Sequence, residues 1–367
     1  MILAVDNTVK TTTKTKSKTA KAIKTTTKQI KTTTTKKMVK SQSMDEKFEE
    51  YKKKYNKSYQ TREEEQQAKA NYIQSEKAKE AHNQRKNETY KQSTTEHSDK
   101  SYEWKVKNRM GAKKSANSRA SKASSKLPNS LSTRMGEDVP DSVDWSPWCS
   151  PIKDQSDCGS CWAFASVAVL EYLMNVIRGE IITLSEQSLV DCDNSSSACG
   201  GGWPTYAFDH IISKGIVSNK DYQYLAFQSE CIEHYFDPVL YIDDTYELEV
   251  KGDEEYLKYL VATYGPIVVV IYATDGLVQY QNGVYYETSC PNDMNSYNHA
   301  IVVVGYGTDN TTIPPMDYWL IRNSWSTSWG LNGYGKFARN QQNLCGIANY
   351  AMLPSSKWIS AKTRPST

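Results

Sequence analysis

The sequence predicts an α+β fold: a helical half packed against a half made of strands or a barrel, with a separate helical leader in front. Three observations carry that prediction. Charge and cysteine content both change near residue 138. A long apolar helical run begins at Cys161, and strand-like runs rich in Val, Ile and Tyr crowd the last third of the chain. Helices first and strands later, within one cysteine-bearing unit, is the α+β pattern.

The charge division is sharp. Residues 1–138 carry 33 Lys+Arg against 16 Asp+Glu, a net of +17, whereas residues 139–367 carry 12 against 26, a net of −14. All eight cysteines lie at or after Cys149. A basic, cysteine-free leader thus precedes an acidic globular body, which is a precursor's layout, although a basic tail on any acidic domain would look alike. Cysteines at this density favour disulfides and an oxidising compartment. Zinc is the competing use, but none of the five histidines stands at finger-like spacing from a cysteine pair, so no metal or other cofactor is expected. No apolar run approaches the ~18–20 residues of a transmembrane helix. The start, MILAVDNTVK, has no signal-peptide core, because its apolar stretch ends at Asp6. That sits awkwardly with disulfides unless the true start lies upstream, the chain reaches its compartment another way, or the thiols stay reduced.

Four segments follow in order. Residues 1–43 are a Thr/Lys tract with eleven Lys, one acid and nothing apolar in register, so a disordered tail is expected. A polybasic tail can bind nucleic acid or anionic lipid; a solvated extension is the plainer reading, and no nucleic acid partner is expected. In residues 44–110, Phe48, Tyr51 and Tyr55 fall at i, i+3, i+7 and predict an amphipathic first helix. Tyr72, among alternating charges, predicts a second. Residues 111–138 hold Ser, Ala, Lys and little else, and predict an exposed linker open to proteolysis. Residues 139–367 are the body. Its long helix after Cys161 is followed by a shorter one near Ser185. Strands are expected around Val269, Val303, Leu320 and Lys336. The groove between two such halves is where a ligand would bind.

The chemistry-bearing residues are spread along the body. In DQSDCGSCWAF, Asp154 to Phe164, Cys161 opens the long helix, where free N–H groups and the helix dipole favour a thiolate, the nucleophile of acyl transfer. Cys158 and Cys161 also form a CxxC pair, but the preceding chain is loop and not the βαβ context of a redox dithiol. A thiolate needs an imidazole partner and a group that orients it. His299, in YNHAIVVVGYG, lies 138 residues on at the start of a strand, and Asn323, in YWLIRNSWSTSWG, lies 162 residues on at the end of the next. Neighbouring strands can set the two side by side. Alone, each would pass for an ordinary core or turn residue; their joint occurrence, in order, is what points to a site.

CGSCWAF, NHAIVVVGYG and RNSWSTSWG resemble the three active-site blocks of papain and the cathepsins, and the likeness runs from about Val139 to Leu353. The resemblance implies a papain-like two-lobed fold, with a helical left lobe and a β-barrel-like right lobe, and a cysteine endopeptidase. Cys161 would be the nucleophile, His299 the acid and base, and Asn323 its orienter; Gln155, with the N–H of Cys161, would serve the oxyanion. Trp325 would shield the Asn–His pair and form part of the substrate-facing wall. The Asn323 spacing is long, and the loop Thr308 to Asp317 accommodates the excess. Gly201 and Gly202 would pair with substrate backbone. Trp203, Pro204, Val270, Ala300 and Tyr350 would line the pocket for the side chain two residues before the cut. With no acid at its base, that pocket predicts a hydrophobic preference. The implied disulfides are Cys158–Cys199, Cys192–Cys231 and Cys290–Cys345, leaving Cys149 as a free thiol or an intermolecular link. Ser156, Ser326 and Ser328 stand where glycine is common.

The leader resembles the inhibitory propeptide of cathepsin L-like enzymes. Glu64, Tyr72 and Asn83 keep its helix signature, while Ala68, Ser75 and Lys79 depart from it. A zymogen is implied, cut between about Asn129 and Asp138, with activation favoured in acid. The partners implied are protein and peptide substrates, the chain's own leader in cis and cystatin-like inhibitors, acting on a monomer. A lysosomal or secreted destination is also implied, and four N-x-[ST] sites (Asn56, Asn87, Asn194, Asn310) permit glycosylation.

Overall fold

The computed structural model describes residues 42–114, 121, 123–127 and 138–355. The Thr/Lys tail and the expected cutting region lie almost wholly outside them. The chain divides into two units, Met1–Ser43 and Met44–Thr367, and the fold is that of the second.

The leader supplies three helices, α1 Met44–Lys54, α2 Arg62–Gln84 and α3 Tyr102–Arg109. Phe48, Tyr51, Ala68 and Tyr72 form a small core between the first two, with Tyr55 and Tyr59 against it. Thr61 caps α2 by accepting the Glu64 N–H, and three glutamates in its first turn complement the helix dipole. Tyr51 and Tyr59 donate their hydroxyls to buried Asp99, which ties this core to the turn before α3.

The body opens on α4 Cys161–Arg178, α5 Glu186–Cys192 and α6 Pro204–Lys214, and α7 Glu254–Tyr264 and α8 Asp275–Val278 follow among the strands. Ser185 caps α5 through its side chain, and Pro204 starts α6 where its missing N–H costs nothing. One expectation is corrected here. By length and composition α4 could cross a membrane; it does so poorly as a reading, because 72% of it is buried inside the protein as the central helix of the helical half.

The strands are β1 Tyr90–Gln92, β2 Val143–Asp144, β3 Thr245–Glu249, β4 Ile267–Ile271, β5 Tyr280–Tyr285, β6 His299–Asp309, β7 Met316–Arg322, β8 Tyr334–Ala338 and β9 Tyr350–Pro354. Among the described residues they form one sheet in the order β1-β5-β8-β7-β6-β4-β9-β3, with β2 added to β6. Two hydrophobic clusters result: one inside the sheet half, the other between α4, α6 and the opposite face of β4 and β6. Alternation along β4 explains this. Ile267, Val269 and Ile271 face the first cluster and Val268 and Val270 the second.

The leader does not stop at its own core. β1 joins the body's sheet beside β5, and Tyr102 donates to the Ala273 carbonyl at 2.6 Å. The exposed linker expected from residue 111 onward also needs correcting. Gly111 and Ala112 are buried, and Leu127 is 8% exposed. Gly111 and Ala112 are covered by the body's groove and Leu127 by the sheet half's core, which the segment's own Ser/Ala/Lys composition cannot reveal.

Candidate active site

Three covalent staples fix the loops around the groove. Cys158–Cys199, Cys192–Cys231 and Cys290–Cys345 are bonded, each closing a loop that stabilises by about 2–4 kcal/mol. Cys149 and Cys161 are free and buried. Burial pushes the Cys149 thiol up to about 11.

Cys161 is the first residue of α4, brought there by the loop that Cys158 anchors. His299 begins β6, opposite Ile271 of β4, and Asn323 follows β7, whose Arg322 pairs with Val302. The β6–β7 hairpin therefore sets His299 and Asn323 side by side. Their contact is a 2.9 Å hydrogen bond between His299 Nε2 and Asn323 Oδ1. Trp325 stacks on the imidazole, ring centres 4.4 Å apart and planes 22° off parallel, and so covers that bond. His299 Nδ1 is buried and makes no hydrogen bond. The N–H of Ala300, next along the chain, points at Cys161 Sγ from 3.4 Å.

Gln155 is fully buried in the loop that leads to Cys158. Its backbone N–H donates to the Ser324 carbonyl at 2.9 Å, and the Ser324 hydroxyl donates to Gln155 Oε1 at 2.6 Å. Sequence reasoning missed Ser324, which turns the Gln155 amide so that Nε2 faces the groove. That Nε2 donates to Cys158 O at 2.8 Å and to Arg109 O, a leader carbonyl, at 2.9 Å.

The leader fills the groove. Gly202 N–H donates to Gly111 O and Lys113 N–H to Gly202 O, both at 2.8 Å, so Ala112 and Gly202 form a parallel bridge. Gly201 permits this approach, with φ of +112° and the Gly111 oxygen 2.9 Å from where a Cβ would stand. The Gly111 N–H reaches Cys161 Sγ at 3.1 Å. Ala112 belongs to the same hydrophobic cluster as Trp203, Val270, Ala300 and Tyr350, and Pro204 is buried at the start of α6.

Arg109, also missed, is the leader's chief polar anchor. It is 3% exposed, approaches Glu96 and Asp154 at 3.5 Å and Asp157 at 3.7 Å, and lies over the Trp325 ring. His97 bonds Asp157 at 2.8 Å beside it. Nothing in the leader's many basic residues distinguishes Arg109 in the sequence. Glu247 of β3 was missed as well: Trp203 Nε1 and Thr205 Oγ1 donate to it at 2.9 and 2.8 Å.

Sealing the groove reverses one expectation. Burial pushes the Cys161 thiol up to about 11, against the N–H groups of Ala300 and Gly111. Burial holds His299 down to about 4, opposed by its bond to Asn323 and reinforced by the Arg109 charge. With the leader seated, the sulfur is a thiol and the imidazole is neutral. The helix end favours a thiolate, but water has been removed, and desolvation wins.

Two families match the chain. "Papain family cysteine protease" matches residues 139–355 and "Cathepsin propeptide inhibitor domain" matches residues 48–103. Cathepsin L of Sarcophaga peregrina is 43% identical over 224 residues, 59% of this chain and 64% of that protein. Cathepsin K of Mus musculus is 40% identical over 220 residues, 59% of this chain and 65% of that protein. The matched region thus spans just under two thirds of those relatives. Among solved structures, digestive procathepsin L 3 of the Tenebrio molitor larval midgut superposes with a TM-score of 0.72 at 34% identity, covering 86% of this chain and all of that one.

Proposed function

Because the chain belongs to the papain family of cysteine proteases and carries a cathepsin propeptide inhibitor domain, we propose that it is the zymogen of a cysteine endopeptidase. The observation that carries this reading is the His299–Asn323 hydrogen bond at 2.9 Å, with the N–H of Ala300, the residue after His299, reaching the Cys161 sulfur at 3.4 Å.

In this reading, departure of the leader lets water back into the groove. The thiol falls and the imidazole rises from their sealed values, and the proton moves from Sγ to Nδ1. The thiolate attacks the scissile carbonyl. The oxygen that gains charge takes hydrogen bonds from Cys161 N–H and from Gln155 Nε2, whose second partner, the Arg109 carbonyl, has left. His299 protonates the departing amine and then takes a proton from the water that hydrolyses the acyl-enzyme. Asn323 holds the ring through both steps, and Trp325 keeps water from their bond.

The leader inhibits in cis by presenting the wrong atoms. It offers Sγ an N–H where a substrate offers a carbonyl carbon, and its parallel run over Gly202 supports a substrate lying in the opposite sense. The seat of Ala112 among Trp203, Val270, Ala300 and Tyr350 supports a hydrophobic preference two residues before the cut. The disulfides support a lysosomal or secreted destination.

An epoxysuccinyl electrophile tests the reading. Acid-processed wild type should be labelled and should cleave peptides, and Cys161→Ala should do neither. Processed wild type that resists the probe and cleaves nothing overturns it.

A further inference from the structure

Trp203 and Tyr350, which share a hydrophobic cluster with Ala112, also border an outer end of the groove that has a different chemistry. In an extended strand, residues two apart share a face, so Ala112 and Lys114 project the same way. Lys114 Nζ meets Glu247 Oε1 at 2.7 Å and lies 4.6 Å from the ring centres of both Trp203 and Tyr350. An ammonium with a carboxylate at its tip and an aromatic face on two sides is a complete cation-binding arrangement.

This well belongs to the body and not to the leader. Glu247 Oε2 is held by Trp203 Nε1 and Thr205 Oγ1, so the carboxylate is already aimed before any lysine arrives. Trp203 is fully buried and packs at right angles to Tyr350, 5.6 Å between ring centres, so the rings are fixed as well. The neighbouring acid, Glu249, is paired with Lys251 at 3.3 Å. Glu247 is therefore the carboxylate free to meet an incoming cation. Burial works against the Lys114 ammonium, yet the carboxylate outweighs it and the group is held above its ordinary value. Past Lys114 the well opens into a groove bordered by Tyr206, Glu249 and Lys251 of the body and, in the zymogen, by Ser121, Ala123 and Ser125 of the leader.

A substrate runs opposite to the leader, because it must turn a carbonyl and not an N–H toward the sulfur. It still crosses the same two wells in the same spatial order from Cys161. We propose that Glu247, Trp203 and Tyr350 form a subsite for lysine or arginine, located two residues to the amino side of the residue in the apolar well. Lys114 occupies it in the zymogen. This deepens the peptidase reading and rests on it. With a hydrophobic residue two before the cut, the basic residue stands four before it.

The test uses acid-processed wild type and Glu247→Gln with matched fluorogenic peptides. The peptides share a leucine two before the cut and differ only four before it, as lysine or acetyl-lysine. Wild type should prefer lysine by roughly tenfold in kcat/KM, the sum of one partly exposed ion pair and its aromatic contacts. In Glu247→Gln the ratio should fall toward one. The wild-type comparison alone requires no variant to fold. Equal cleavage of both peptides by wild type, or a ratio that Glu247→Gln leaves unchanged, overturns the subsite while the peptidase reading stands. Wild type that cleaves neither peptide overturns the peptidase reading, and the subsite with it.

Discussion

The backbone N–H of Gly111 donates to Cys161 Sγ across 3.1 Å, and a Cβ on Gly111 would lie 1.7 Å from the Gly159 carbonyl oxygen. No side chain fits between these two backbones, so the contact that silences the sulfur depends on one glycine. Gly111→Ala should lift the leader from the sulfur. With the thiol at about 11, about one sulfur in ten thousand is thiolate at pH 7. Alkylation of the intact zymogen at pH 7, followed by mass spectrometry, should therefore be at least about tenfold faster in the variant. Buried Cys149 serves as the internal reference.

Arg109 is fixed by three carboxylates and an indole. Arg109→Ala returns Asp154 and Asp157, already 37% and 58% exposed, to water and should weaken the leader's grip by about 1–2 kcal/mol. Incubated near neutral pH and followed by gel, the variant should shed its leader under conditions where wild type stays whole.

Acid should act through His97. Burial lowers its pKa from 6.5, with the Asp157 bond opposing and the Arg109 charge reinforcing. Its bond to His97 lowers the pKa of Asp157 in turn, against burial. Above pH 6.5 His97 is neutral whether seated or released. Below it, the released imidazole takes a proton that the seated one resists, so the seated state loses ground as pH falls. Uncovered His299, held near 4 while sealed, works in the same sense. His97→Gln should reduce the slope of leader release against pH by up to about one proton between pH 6.5 and 4.5. A slope equal to wild type would exclude His97 from the trigger.

Lys153 bridges two buried carboxylates, Glu171 at 2.6 Å and Glu186 at 2.7 Å, behind the groove. Lys153→Met strands both and should cost about 3–5 kcal/mol in urea unfolding at pH 7.5. Burial raises Glu186 to about 7, with Lys153 opposing, so a protonated Glu186 is within easy reach. The penalty should shrink at pH 5, where the stranded acid takes up its proton.

How much of this was legible depended on where the information resides. Cys161, His299 and Asn323 announce themselves because each sits in a short block with its own strand or helix signature. β3 did not: TYELE places an acid on each side of an apolar residue, and its burial comes from β9 and α6, far along the chain. Glu247 was hidden with it. Ser156 and Ser326 do adopt left-handed backbone, φ +50° and +67°, so the turns that favour glycine persist without it. Gly111 and Arg109 were illegible for a plainer reason. The partners that give them their roles, Cys161 and Gly202 for Gly111 and Asp154, Asp157 and Trp325 for Arg109, lie in the other segment.

The leader's β1 leaves one further mark. Tyr90–Gln92 covers the outer side of β5, with Thr89 accepting the Val284 N–H and Ser93 donating to the Gln279 carbonyl. Removing the leader would strip that border and leave a row of unpaired donors and acceptors along Tyr280–Tyr285. Ripening would thus exchange a blocked groove for a sticky rim, and the ripe protein would have to tolerate a seam its precursor keeps closed.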